Sequence, residues 1–435
     1  MKVALINHGC AKNLVDAELM LGILENKGYQ ITLDDSDADI VIVNTCSFIH
    51  DAEKESVQSI LEMVENDKKV IVSGCLSQKH KEELKKAIPE LSGMIGTSNL
   101  KDIVKVIENI KHGKDYTSII QDKPEYIYPE EVTRQQITMG ASSYLKIGEG
   151  CNYQCGYCII PKLRGKYISR PIENIVKEAK ELVAKGVSEI ILIAQDTSSY
   201  GIDLYGKQAL PKLLEELNKI EDLSWIRIMY AYPTQMTDEL IEAIANLDKV
   251  VKYVDIPLQH SHPRVLESMR RPVMDYTKLV DKIRRKIPGV SVRTSLIVGY
   301  PGETEEEFEH LYNFVKNVRF DRMGAFEYSR EKGTYSYSLK DQVPAKIKKQ
   351  RRKRLMELQQ QISLENNQNY IGKEIKCIVE GYTDDGVIIL RSEHDAPEID
   401  GVVYASSETP VVPGDIESVR ITSADEYDLF GEIVE

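Results

Sequence analysis

Apolar positions along the chain fall into three regimes. Up to about Gln121, short continuous apolar runs at Val3–Ile6, Ile40–Val43 and Val70–Val72 alternate with stretches of helical period, among them Leu14–Glu25, Ala52–Glu65 and Leu100–Ile110. Unbroken runs of that length suit parallel strands buried on both faces. The alternation predicts a small α/β domain with a parallel sheet. From Asp122 to Ser142 the period is lost among Pro124, Pro129 and clustered acids, which predicts a linker. Six more strand-like runs follow: Tyr144–Ile147, Glu189–Ala194, Ile226–Tyr230, Tyr253–Ile256, Val292–Val298 and Met323–Phe326. Helical patterns such as Ile172–Lys185 and Tyr276–Lys286 separate them. Six β/α units in a row predict a partial (β/α)6 barrel whose chemistry sits at the carboxyl ends of its strands. Beyond about Tyr370 the period becomes two, with Ile375, Cys377 and Val379 on one face and Gly381, Gly386, Gly401 and Gly414 at turns. That pattern predicts a small all-β barrel. The expected fold class is α/β, with an N-terminal α/β domain (1–121), a linker (122–142), the central partial barrel ending in a long helix (143–369) and the β-barrel (370–435).

Composition adds compartment and partners. No stretch approaches the ~20 apolar residues of a membrane span, and Met1–Ile6 turns polar at Asn7, too early for a secretory signal. A cytoplasmic protein is expected. Its seven cysteines should then be reduced thiols, which favours metal binding or catalysis over disulfides. The net charge of −13 is unevenly spread: Ile371–Glu435 holds four Lys/Arg against sixteen Asp/Glu, a net −12. Such a domain should repel nucleic acid and attract a basic partner. Seven of the nine residues Lys346–Arg354 are Lys or Arg, continuing helically to about Asn366. That run reads as a solvated helix face or, more sharply, as a contact for RNA phosphate.

The densest chemistry lies in Cys151-Asn152-Tyr153-Gln154-Cys155-Gly156-Tyr157-Cys158. Three cysteines at C-x3-C-x2-C spacing, on a loop after the first barrel strand, suit thiolates around one metal cluster. Three ligands leave one iron of a cubic four-iron cluster open, and an open metal position is where a substrate binds. A structural zinc site completed by His260 or His262 is the alternative. In the N-terminal domain each predicted strand also runs into a cysteine: Cys10, Cys46 and Cys75. Ligands gather outside the carboxyl ends of strands in open α/β sheets, so these three should converge. Gly9 and Gly74 would allow close backbone approach. The plain alternative is that the three are small buried residues packing as hydrophobes. Cys377, alternating with Ile375 and Val379, reads as core. Other barrel strand ends are also polar: Gln195 and Gln259, with Arg293 inside the fifth strand, are further candidates, whereas His260 reads as a satisfied polar residue at a strand end. The Gly299–Glu303 turn reads equally as a cofactor contact or as the start of a helix with an acidic first turn.

The Cys151–Cys158 stretch, with Tyr157 before the last cysteine, resembles the signature of radical S-adenosylmethionine (SAM) enzymes. Gly9-Cys10-Ala11-Lys12-Asn13-Leu14-Val15-Asp16-Ala17-Glu18 and Asn44-Thr45-Cys46-Ser47-Phe48-Ile49 are similar to the N-terminal domain of methylthiotransferases, and the C-terminal segment resembles a TRAM domain. The first of these, with Gln195–Gly201 and Gly324–Ser329, looks like the methylthiotransferase branch that modifies an aspartate of the twelfth small-subunit ribosomal protein. The other branch modifies transfer RNA adenosine. The resemblance implies two 4Fe-4S clusters, one on Cys10, Cys46 and Cys75 and one on Cys151, Cys155 and Cys158. It implies SAM as methyl donor and as radical source, with Tyr157, Gln195, Gln259 and Arg293 as candidate SAM contacts. No catalytic side chain is expected beyond the cluster ligands. The expected partners are a basic ribosomal protein, free or on the ribosome, and a reducing donor such as flavodoxin or ferredoxin. An iron–sulfur redox or sensing protein is the reading from another class. Such carriers usually complete each cluster with four cysteines, whereas this chain has two sets of three.

Overall fold

The computed structural model describes residues 1–434 apart from Phe48, Thr138 and Met139. Phe48 of the Asn44–Ile49 stretch, Thr138 and Met139 of the predicted linker, and Glu435 lie outside the described residues.

The N-terminal domain is a parallel six-stranded sheet of β1 (Lys2–Asn7), β2 (Gln30–Ile31), β3 (Ile40–Thr45), β4 (Lys69–Gly74), β5 (Gly93–Ile95) and β6 (Thr117–Ile119), in the order β2-β1-β3-β4-β5-β6. The predicted strands are β1, β3 and β4. The other three are two or three residues long, too short to leave a period. Val41, Ile42, Val70 and Ile71 are wholly buried, as a doubly covered parallel sheet requires. Register decides what the carboxyl edge presents: Asn7 pairs with Asn44, and Asn44 with Ser73. The chain segments leaving β1, β3 and β4 therefore start from one level, and each carries a cysteine.

The predicted linker is without helix or strand among its described residues before Ser142, and it is anchored at intervals by buried side chains, among them Tyr126, Tyr128 and Arg134. Tyr126 donates to Asp16 across 3.2 Å and Tyr128 to Glu178 across 2.9 Å. Buried Arg134 lies 3.1 Å from Glu18 and 3.5 Å from Glu178. Aromatic and charged groups without a period tie the first domain to the second, which periodicity cannot report.

In the central domain six parallel strands stand in the predicted places: β7 (Ser142–Lys146), β10 (Glu189–Ile193), β11 (Trp225–Ile228), β12 (Tyr253–Asp255), β13 (Ser291–Val298) and β14 (Arg322–Glu327). Two short strands, β8 (Gly148–Glu149) and β9 (Ile168–Ser169), pair between the first two. The six form two three-stranded sheets, β11-β10-β7 and β12-β13-β14, joined by a parallel bridge from Ile226 to Val250 and by Ala231 N–H donating to the Asp255 carbonyl at 2.8 Å. The result is an open barrel with helices outside and an apolar core running from Leu145 to Ile362. The helix Ala345–Gln368 crosses β14. Its basic run is divided: Arg351 is buried and Lys348 and Arg354 are half-buried, while Lys346, Lys349, Arg352 and Lys353 keep an exposed face. Arg351 pairs with Glu303 at 2.8 Å, and Arg354 with Glu305 and Glu309 at 3.1 and 2.6 Å. Lys348 donates to the Tyr328 carbonyl at 2.8 Å.

The C-terminal domain is a closed five-stranded barrel of β15 (Glu374–Tyr382), β16 (Ile388–Ser392), β17 (Val403–Ser406), β18 (Ile416–Ala424) and β19 (Leu429–Ile433). Cys377 is wholly buried in its core with Ile375 and Val379. The barrel docks on the amino ends of the central strands through buried charge. Arg391 meets Glu189, which also takes Arg227 at 2.8 Å. Arg322 pairs with Asp395 at 2.6 Å and Arg293 with Asp400 at 3.4 Å. Two consequences follow for the charge of this domain. Asp395 and Asp400 neutralise neighbours inside the protein, so the outward charge is smaller than −12. The acidic barrel also sits at the end of the central barrel opposite its carboxyl mouth, so it is not built to grip a substrate at that mouth.

Candidate active site

The carboxyl ends of the two sheets face one another across a cavity of about 480 Å³. All six candidate ligands, Cys10, Cys46, Cys75, Cys151, Cys155 and Cys158, line it. Backbone geometry delivers them. Gly9 has φ +107°, and a Cβ there would lie 2.9 Å from the Cβ of Cys46. Gly74 has φ +93°, and a Cβ there would lie 2.5 Å from the Thr45 carbonyl oxygen. Only glycine fits such approaches. Cys10 stands just before the helix Ala11–Asn26 and Cys75 opens a short helix. The second triplet is folded by Cys158 N–H donating to Cys155 O at 3.0 Å and Gly156 N–H to Met269 O at 2.7 Å.

Electrostatics separate the thiols. Burial pushes Cys151 up to about 11 and Cys158 to about 12, and it raises Cys75 as well. At Cys10 burial is outweighed by Lys12, Arg164 and the N–H groups of Asn13 and Lys12, so its pKa falls. Buried thiols of raised pKa ionise when a cation compensates the charge, and a bound metal does so. Two cysteine triplets opening on one cavity are a donor set that suits iron–sulfur ligation.

Three cations also line the cavity, all of them outside the sequence-based site list. Arg164 is buried in a network that joins the first two domains. It binds Asp16 at 2.6 Å and Glu149 at 3.2 Å, donates to Asn13 and reaches Cys75 Sγ at 3.6 Å. Arg271 donates to the Pro257 carbonyl at 2.5 Å and lies 3.8 Å from Cys155 Sγ. Lys12 Nζ lies 3.6 Å from the Tyr230 ring centroid, and no carboxylate pairs with it among the described residues. Lys12 falls within a stretch that carried the family resemblance. Arg271 follows a helix without any local signal. The wall beyond carries Tyr153 stacked on Tyr232, centroids 3.7 Å apart. Tyr230 (φ +62°) and Gln259 (φ +74°), at neighbouring strand ends, hold left-handed backbone that bulky residues rarely adopt.

Of the candidate SAM contacts, Tyr157, Gln195 and Gln259 line the cavity. Gln195 Nε2 donates to Glu149, while its buried Oε1 has no partner among the described residues. Arg293 does not reach the cavity. It is the third residue of β13, near the amino end, and it binds Asp255 at 3.1 Å and Asp400 of the C-terminal barrel. His260 and His262 are not at the cavity either. His260 is fully buried, with Nδ1 accepting from the His262 N–H at 3.0 Å. The zinc alternative therefore lacks its fourth ligand there. The Gly299–Glu303 turn also keeps its structural role: Glu303 accepts from the Gly299 N–H at 2.8 Å, and Thr304 caps the following helix.

An open six-stranded parallel barrel with a cysteine-lined mouth places the protein among the radical SAM enzymes. The chain matches the Radical SAM superfamily over residues 145–315, the Uncharacterized protein family UPF0004 over 2–96 and the TRAM domain over 371–434. Among solved structures it is similar to the radical S-adenosylmethionine methyltransferase TsrM from Kitasatospora setae. That match has a TM-score of 0.56 and 14% identity, and covers 75% of this chain and 74% of the other. Full-length relatives are nearer. One from Caldanaerobacter subterraneus subsp. tengcongensis is 51% identical over 99% of both chains, and one from Clostridioides difficile is 46% identical over 100% of this chain and 99% of its own. Both are described as ribosomal protein uS12 methylthiotransferase RimO. The chain belongs to the family of RimO-type ribosomal protein uS12 methylthiotransferases.

Proposed function

We propose that this protein adds a methylthio group to the β-carbon of an aspartate in ribosomal protein uS12. In this reading Cys10, Cys46 and Cys75 hold one four-iron cluster and Cys151, Cys155 and Cys158 another. The observation that carries the reading is the convergence of two cysteine triplets on one cavity in a chain of this family. Bound there, the clusters and SAM supply radical and sulfur chemistry that side-chain acids and bases cannot.

The chain's own residues bind, orient and exclude water. Tyr157, packed beside Tyr300 and Tyr328, closes one wall with apolar surface. The unpartnered Oε1 of Gln195 is an acceptor suited to the ammonium of the methionine part of SAM. Gln259 faces the same space from a strand end. Arg164 and Arg271 hold positive charge beside Cys75 and Cys155, which offsets the negative charge of the bound thiolates. Lys12, without an acid partner, is the cation suited to the carboxylate of the substrate aspartate. The acidic C-terminal barrel attracts a basic ribosomal protein at long range and speeds encounter rather than gripping it at the mouth. A reduced flavodoxin or ferredoxin supplies electrons, and the cytoplasm is where these thiols stay reduced. No helix among the described residues is long and apolar enough to cross a membrane.

The test offers anaerobically reconstituted protein a peptide carrying the uS12 target loop and, separately, unmodified transfer RNA. A methylthio mass increase on the peptide aspartate is expected. An increase on the RNA alone overturns the assignment in favour of the adenosine-modifying branch, and reconstitution without SAM cleavage returns the protein to the redox class.

A further inference from the structure

The acidic barrel and the cavity mouth lie at opposite ends of the central domain, and the mouth carries charge of the other sign. Between Arg330 and Arg354 ten residues are Lys or Arg and two are Asp or Glu. Arg351 and Arg354 are consumed by the acids of the neighbouring helix, whose Glu305 and Glu309 bound the region on one side. Exposed Arg330, Lys332, Lys340, Lys346, Lys349 and Arg352 have no ion-pair partner among the described residues.

These cations belong to one face. Lys348 and Arg352 hydrogen-bond the carbonyls of Tyr328 and Ala325, which fixes the first turns of the long helix across the end of β14. Tyr328 donates to Ser336 at 2.8 Å, which fixes the Tyr335–Tyr337 turn beside it. The face is also aromatic. Arg330 lies 4.6 Å from the Tyr337 ring centroid and Arg270 lies 3.8 Å from that of Tyr335. Tyr335, Tyr337 and Phe326 are 43%, 39% and 52% exposed. The face adjoins the site: a Cβ on Gly156, inside the second cysteine triplet, would lie 3.1 Å from the Tyr335 ring.

Unpaired cations interleaved with exposed rings are what a nucleic-acid backbone and unstacked bases require. We infer that this face docks on ribosomal RNA, so that the protein meets its target within the small ribosomal subunit rather than as free uS12. The inference rests on the uS12 reading above. The charge layout supports the commitment, because the acidic barrel is held at the far end, away from phosphate.

The test uses the reconstituted full chain and purified small ribosomal subunits, with binding measured from about 50 to 200 mM salt. The triple variant Lys340→Gln, Lys346→Gln, Lys349→Gln should bind subunits at least about tenfold more weakly. Its log–log salt slope should fall by about 2–3, at ~0.7–0.9 per lost phosphate contact. Its rate on the free target-loop peptide should be unchanged, the Lys→Arg triple should bind as wild type, and excess transfer RNA should fail to displace the subunits. Unchanged affinity and slope in the Gln triple would overturn the surface, and displacement by transfer RNA would overturn its assignment to ribosomal RNA. Failure of wild type to modify uS12 either in the peptide or in the subunits strikes the uS12 reading instead, since subunit binding is read independently.

Discussion

The network between the first two domains sets a test of how this site is held. Asp16 comes from the N-terminal domain, and Lys146, Glu149 and Arg164 from the central one. All four are almost completely buried. Lys146 meets Asp16 and lies 2.7 Å from Glu149, and Arg164 bridges the same two carboxylates. Two cations balance two anions. Arg164→Met leaves two buried carboxylates sharing one ammonium, and breaking a buried pair in this way costs about 3–5 kcal/mol. Asp16→Asn leaves two cations on Glu149, whose carboxyl Lys146 and Arg164 hold down at about 2 against the cost of burial. Combining the two changes restores balance, because Lys146 and Glu149 remain as one pair. The double variant should therefore be less destabilised than the sum of the singles by about 1–3 kcal/mol. The single tryptophan, Trp225, is buried in the central domain and reports unfolding by fluorescence. Urea titration of the four anaerobically reconstituted proteins, with iron content measured alongside, gives the cycle. Costs that add within about 0.5 kcal/mol would refute the reasoning, since distant independent sites behave in that way.

Replacing Cys151, Cys155 and Cys158 by Ala should leave about half of roughly eight irons, as two four-iron clusters require, and abolish SAM cleavage; loss of all iron would refute independent sites. Cys377→Ala should keep full iron and activity at a cost of about 1 kcal/mol for a small cavity, and a drop in iron would overturn its placement in the core. Burial, with His262 as the next cause, lowers His260 to about 3. Below an unfolded value of ~6.5 the unfolded chain binds more protons, so stability is lost as pH falls, by about 2 kcal/mol between pH 7 and 5. His260→Gln should remove that share of the slope, and an unchanged difference between the two pH values would show that His260 is not its source. Lys12→Met should weaken modification of the aspartate peptide by about tenfold or more at intact iron content, with Lys12→Arg restoring most of it, as a charge-assisted carboxylate contact requires. Equal rates for Lys12→Met and wild type would exclude that contact.

Local pattern by itself determined the architecture of this protein. Apolar runs such as Ile40–Val43 are buried on both faces and so show in any window, and the alternation of Ile375, Cys377 and Val379 placed that cysteine in a core. The six cluster candidates were also legible, because a cysteine follows each of three main strands and three more share one loop. Tertiary structure alone decided which charges meet. Arg293 and Gln195 look alike as polar residues of barrel strands, but the first lies near an amino end against Asp400 and the second lies at the mouth. The pairing of Asp16 with Lys146 and Arg164 spans more than a hundred residues of chain and leaves no period. The acidic domain showed its charge in composition and its position only in the fold. Periodicity records which face of an element is buried, whereas electrostatic partners are set by how whole domains dock.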